Sequence, residues 1–297
     1  MNKKLLIIPC LVLAGCQNAN SNSTNTGEKE IVPVVMLIGQ SNASGTSWSS
    51  YLSNHFDQKT INQYRSGFDK VQIAHQCEGF SGNNTPDGEF VSVKLGQGYD
   101  QQHFGPEVGM AEYLTKNYGK NIYIIKWAYG GTGLATDWKS PSFSGGNNGW
   151  CYDGFVNFAK DSIKALSTKY RVEVKAFCWM QGEEDSVHDE YTKTYGNYLS
   201  MFISDLRKEF KKYQGESGIG FIDAAITKAW TNYRLINQAK LSVANTYKLN
   251  FYLSEAEDLP FNKEPDDIAD IAHLDSDGMI SLGHMFAKSL IDNFLDK

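Results

Sequence analysis

Five short apolar runs, alternating over most of the chain with helical patterns, constrain the fold more than any other feature. The runs cover residues 31–38, 121–128, 172–180, 218–226 and 249–253. The helical patterns cover 106–118, 152–170, 188–213, 231–247 and 280–295. In the last, Gly283, Ala287, Leu290, Ile291 and Phe294 recur at helical spacing, so one face is apolar. Strands separated by helices are joined by crossovers, which make a parallel sheet with helices on both faces. The expected fold is therefore α/β, a three-layer α/β/α sandwich around a mostly parallel five-stranded sheet. Residues 44–105, rich in Gly, Asn, Gln and Ser, resist this scheme. With "KVQIA" and "EFVSVKL" as weak strand candidates, they read as an insertion over one end of the sheet.

The first residues, "MNKKLLIIPCLVLAGC", combine two lysines with a short apolar stretch and read as an export signal. The stretch is too short to cross a bilayer, which takes about 20 apolar residues. "LAGC" resembles the lipobox of bacterial lipoproteins, which implies a signal peptide at 1–16 and acylation of Cys16. Residues 17–30 are polar and unpatterned and read as a flexible tether. Residues 31–297 then form one domain, since no linker-like stretch interrupts them. Because Gln17 is not aspartate, the resemblance further implies a lipid-anchored protein of the bacterial cell envelope, sorted to the outer membrane.

A net charge of −6 without a Lys/Arg cluster argues against a nucleic-acid or anionic-membrane surface, leaving the lipid anchor as the only membrane contact. Beyond the leader are three cysteines. Cys178 sits mid-strand as a small buried residue, whereas Cys77 and Cys151 lie in Gly-rich segments where pairing is left open.

The run "VVMLIGQSNASG" stops at Gly39 and puts Ser41 at the carboxyl end of a strand, where open α/β sheets build their sites. A serine hydroxyl needs a base, and the base needs an orienting group. His273, in "DDIADIAHLDSDG", has Asp270 three residues upstream, a spacing that lets a carboxylate and an imidazole face the same way. Candidate oxyanion donors follow two other strand ends, in the glycines of "YGGTGL" and in "QGEED" with the amide of Gln181.

Together "GQSNASG", "YGGTGL", "WMQGEED" and "DIAHLDSDG" resemble the ordered blocks of the SGNH-hydrolase superfamily, in its sialate O-acetylesterase-like and carbohydrate esterase family 6 branch. The resemblance runs from Val34 to about Ala287 and implies a flavodoxin-like fold. It implies Ser41 as nucleophile, His273 as base and Asp270 as its orienter. The oxyanion hole would be the backbone N–H of Ser41 and of Gly130 or Gly131, with the Gln181 side chain. "FGPEVGMA", with Glu107, also looks like a family segment, of structural role. Ala43 stands where a Gly-x-Ser-x-Gly elbow requires glycine, which counts against an α/β-hydrolase.

The implied activity is a serine esterase that removes acetyl groups from carbohydrate, with an acetylated glycan as its partner and no cofactor or metal. A catalytically inactive, glycan-binding surface lipoprotein is the alternative. Glu183 and Asp185 raise a rival reading as paired glycosidase carboxylates, although such pairs commonly come from different strands. Trp48, Trp138 and Trp150, in loops near the same edge, are candidates for stacking on sugar rings or for buried loop anchors.

Overall fold

The computed structural model describes residues 28–77, 84–86, 88–261, 263–265, 270 and 273–295. The expected signal peptide, Cys16 and most of the tether lie outside them. The strands are β1 Ile31–Gly39, β2 Ser47–Trp48, β3 Phe68–Cys77, β4 Val91–Val93, β5 His103–Phe104, β6 Ile122–Ala128, β7 Arg171–Met180, β8 Gly220–Ala224 and β9 Asn250–Leu253. The α-helices are α1 Ser41–Ser44, α2 Gln58–Ser66, α3 Pro106–Asn117, α4 Pro141–Ser144, α5 Trp150–Leu166, α6 Glu183–Ser186, α7 Asp189–Glu209, α8 Tyr233–Ala244 and α9 Ser276–Asn293.

The main sheet has the order β4-β3-β6-β1-β7-β8-β9, parallel except for the β4 edge. Its seven strands exceed the expected five because β3 and β4 come from the segment read as an insertion. That segment contributes to the sheet and also supplies α2. Asp69, Lys70, Gln72 and Gln76 break up the apolar run of β3, so it lacks the continuous hydrophobicity of β1.

Side-chain parity separates the two faces. Phe177 and Trp179 of β7 and Phe221 of β8 meet Phe155 of α5 and Phe202 of α7 on one side. On the other, Gly220 lies under Phe294, whose ring packs edge-on against Phe251 at 5.3 Å. On that side α9 packs tightly on α3. A Cβ at Gly109 would come within 2.2 Å of Ile280 O, and one at Gly283 within 2.2 Å of Pro106 O. Cys77, Cys151 and Cys178 are buried, and no disulfide joins them. No helix among the described residues is long and apolar enough to cross a membrane.

Register brings the site together. Gly39 pairs with Ala128 on one side and Met180 on the other, and Cys77 with Ala128. The segments after β1, β6 and β7 therefore leave the sheet at one level, beside one another.

Candidate active site

The strand-end turn after β1 depends on glycine. At Gly39 (φ 145°) a Cβ would sit 1.9 Å from Met180 O. Gln40 N–H then donates to Met180 O at 3.0 Å, and the single turn of α1 closes through Gly45 N–H to Ser41 O at 2.8 Å. Ser41 opens this turn and is 7% exposed. The Gln40 side chain crosses to the neighbouring strand end, its Oε1 accepting from Gly182 N–H (3.4 Å) and Glu184 N–H (3.2 Å).

His273 Nδ1 lies 2.7 Å from Asp270 Oδ2, and His273 N–H donates to Asp270 Oδ1 at 3.2 Å. A carboxylate can only accept, so it holds the proton on Nδ1 and leaves Nε2 as the basic nitrogen. The expected pair is thus formed. No hydrogen bond joins Ser41 to His273 among the described residues; their segments are tied by the residues that follow each. Asn42, fully buried, accepts from Leu274 N–H at 3.0 Å and donates through Nδ2 to Glu183 Oε1 at 3.0 Å. Ser47 Oγ adds a bond to Leu274 O at 2.7 Å. Beyond it, Asp275 caps α9 by accepting from Gly278 N–H (2.8 Å), and Glu264 accepts from Ser276 N–H (2.9 Å). The base segment is therefore anchored on both the nucleophile turn and the last helix.

The Gly-rich loop after β6 is held from β1 and from the segment after β7. Tyr129 N–H donates to Gly39 O at 3.2 Å, and Gly131 takes φ 65°, which suits glycine. Asp185 Oδ2 accepts from Leu134 N–H (2.7 Å) and its Oδ1 from Ala135 N–H (3.0 Å). Gln181 completes this anchor. Its Nε2 donates to Thr132 O at 3.0 Å and to Asp185 Oδ2 at 2.6 Å, while Oε1 accepts from Tyr195 OH at 3.0 Å. Both amide hydrogens are committed, and the side chain is fully buried. The amide expected to donate to an oxyanion is thus bonded here to the Gly-rich loop and to Asp185.

The paired-glycosidase reading fails on the same geometry. Glu183 and Asp185 are both fully buried and bonded to Asn42 and to the loop, so neither can flank a sugar bond. Burial pushes both carboxyls above their ordinary values. Bonds from Asn42 oppose the shift at Glu183, and those from Gln181, Ala135 and Leu134 oppose it at Asp185. Of the three tryptophans, Trp138 is a buried anchor, its indole N–H donating to Thr132 Oγ1 at 3.0 Å. Trp48 packs on His103 at 4.1 Å, and Trp150 is 52% exposed. Glu107 is fully buried, where it accepts from Lys126 Nζ (2.8 Å) and Gly105 N–H (2.9 Å). A lysine inside the apolar run of β6 was the available signal for such a partner.

The model of the carbohydrate esterase family described as sialic acid-specific acetylesterase matches residues 32–292. The chain belongs to that family. A probable carbohydrate esterase of Arabidopsis thaliana is 24% identical over 173 residues, 58% of this chain and 56% of the relative. The match thus spans little more than half of the relative's length. The solved structure of that Arabidopsis protein superposes with a TM-score of 0.64 at 19% identity, covering 89% of this chain and 99% of the other. NanS superposes at 0.61 and 13% identity, covering 89% and 98%. A carbohydrate acetylesterase from Xanthomonas citri gives 0.56 and 14%, covering 88% and 56%. At such identities these likenesses establish the shared fold.

Proposed function

We propose that this chain is a serine esterase that removes O-acetyl groups from carbohydrate. Ser41 Oγ attacks the acetyl carbonyl while His273 Nε2 takes its proton, and Asp270 stabilises the imidazolium through Nδ1. The backbone N–H groups of Ser41 and of the Gly130 turn face the developing oxyanion. Water activated at His273 then releases acetate from the acyl-enzyme. The observation that carries the reading is the Asp270–His273 pair, at 2.7 Å, held to the Ser41 turn by the Asn42–Leu274 bond. Family membership supports the substrate class. Acetate release from acetylated oligosaccharides and from a simple acetate ester tests it. Ser41→Ala should lower kcat by several orders of magnitude with the fold intact. A loss under tenfold, about 1.4 kcal/mol, would contradict the nucleophile assignment.

We propose separately that the enzyme is held on a lipid anchor through Cys16, a reading supported by "LAGC" and the polar residues after it. More than one acyl chain gives stable anchoring where a single chain gives marginal binding. Cys16→Ser should shift the protein out of the outer-membrane fraction, and unchanged fractionation would remove the anchor while leaving the esterase.

A further inference from the structure

We infer that Tyr129 and Trp150 form a stacking platform for a neutral pyranose ring of the substrate, an inference that rests on the esterase reading above. Rings run outward from the core to solvent beside the Gly-rich loop. Trp127 is 6% exposed, Tyr129 lies 5.2 Å from it, and Trp150 lies 5.0 Å beyond, edge-on at 78° and 52% exposed. A large apolar ring left in water normally rotates freely; this one is fixed. Its indole N–H donates to Asp137 Oδ1 at 2.7 Å, and the backbone on either side is pinned to the same loop. Gly149 N–H bonds to Lys139 O at 2.9 Å and Cys151 N–H to Asp137 O at 2.9 Å. At Gly149 a Cβ would meet Asp137 O at 2.0 Å, so the close approach that seats Trp150 requires glycine.

Asp137 ties the platform to the proposed oxyanion loop, its Oδ2 accepting from Gly133 N–H at 3.0 Å. Tyr129 precedes Gly130 directly and bonds to Gly39, two residues before Ser41. The platform and Ser41 therefore lie on the same strand-end edge of the sheet, within the span proposed for the sugar. Prior fixing of the indole lowers the entropy cost of binding, and the C–H face of a pyranose removes the ring's apolar surface from water. The charge around it selects the sugar class. Asp137 holds the indole, Asp153 bonds to Asn148 nearby, and the loop from 129 to 149 offers only Lys139 as a cation. With one cation against two carboxylates, these surroundings give a sugar carboxylate no net attraction, and a neutral pyranose needs none.

The test compares an acetylated neutral oligosaccharide with ethyl acetate, which has no ring to stack. In Trp150→Ala the ratio of kcat/KM for the oligosaccharide to that for ethyl acetate should fall at least tenfold, with KM carrying the change. Trp150→Phe should retain part of the ratio. A ratio within twofold of the wild type, a change confined to kcat, or a loss seen only with an acetylated sialoside would overturn the platform. Inability of the wild type to hydrolyse either ester would instead refute the esterase reading. The platform is then read from calorimetry of the deacetylated oligosaccharide on Ser41→Ala protein. There, adding Trp150→Ala should weaken Kd at least tenfold, and an unchanged Kd would overturn it.

Discussion

Gln181→Glu keeps the stem of the side chain and replaces both amide hydrogens with a carboxylate oxygen, so it interrogates the anchor of the Gly-rich loop directly. Two buried acceptors lose their donor: Thr132 O, now at 3.0 Å, and Asp185 Oδ2, at 2.6 Å. Each loss costs about 1–3 kcal/mol, although Asp185 keeps the N–H groups of Leu134 and Ala135. Two carboxyls at that separation cannot both ionise, and burial already pushes Asp185 upward, so the folded variant holds one proton between them. This restores one donor at low pH. The folded variant then binds more protons than the unfolded chain, so its unfolding free energy falls as pH rises through the shared proton's range, by up to about 1.4 kcal/mol per unit. Urea unfolding at pH 5, 6.5 and 8 should show a deficit of about 2–5 kcal/mol at pH 8 that shrinks toward pH 5. Gln181→Ala should be destabilised without that added slope. A Gln181→Glu protein as stable as the wild type at pH 8, with kcat alone reduced, would refute the reasoning and return the amide to the reacting oxygen.

Asn42→Ala strips the partners from Leu274 N–H and Glu183 Oε1. It should cost about 2–5 kcal/mol in urea unfolding and lower kcat more than KM, because the base segment loses its tie to the nucleophile turn. Burial pushes the Asp223 carboxyl up to about 6 despite Lys240 Nζ at 2.7 Å. Folding then favours its protonated form, and its contribution to stability declines as pH rises from the ordinary carboxyl value to about 6. Unfolding measured at pH 4.5 and 6.5 should show that part of the pH slope missing in Asp223→Asn.

The parts of the fold legible in the sequence are those whose burial leaves an uninterrupted apolar run. β1, β6 and β7 are buried on both faces along nearly their whole length, and their ends, at Gly39, Ala128 and Met180, mark the site. β3 was legible only as the weak candidate "KVQIA", because its exposed positions carry Asp69 and Lys70 and the strand it pairs with in parallel, β6, lies about 50 residues on. The Asp270–His273 pair was legible because its members lie three residues apart in the sequence. Gln181 shows the limit of such reading. Position marks it as an amide at the right edge, but its partners Thr132 and Tyr195 come from other segments, and only tertiary packing decides which group receives its hydrogens. Trp138 and Trp150 likewise sit 12 residues apart in one polar, Gly-rich context, one in the core and the other half in water.

The central claim, that Ser41 is a nucleophile activated by His273, is tested most directly by covalent capture. Treatment with an alkyl fluorophosphonate, which loses fluoride on attack by an activated serine, followed by peptide mapping, should place a single phosphonyl group on Ser41. Labelling should be abolished in Ser41→Ala and strongly slowed in His273→Ala. Modification of a different residue, or an unlabelled Ser41 in a protein that still releases acetate from the untreated substrate at full rate, would contradict the account.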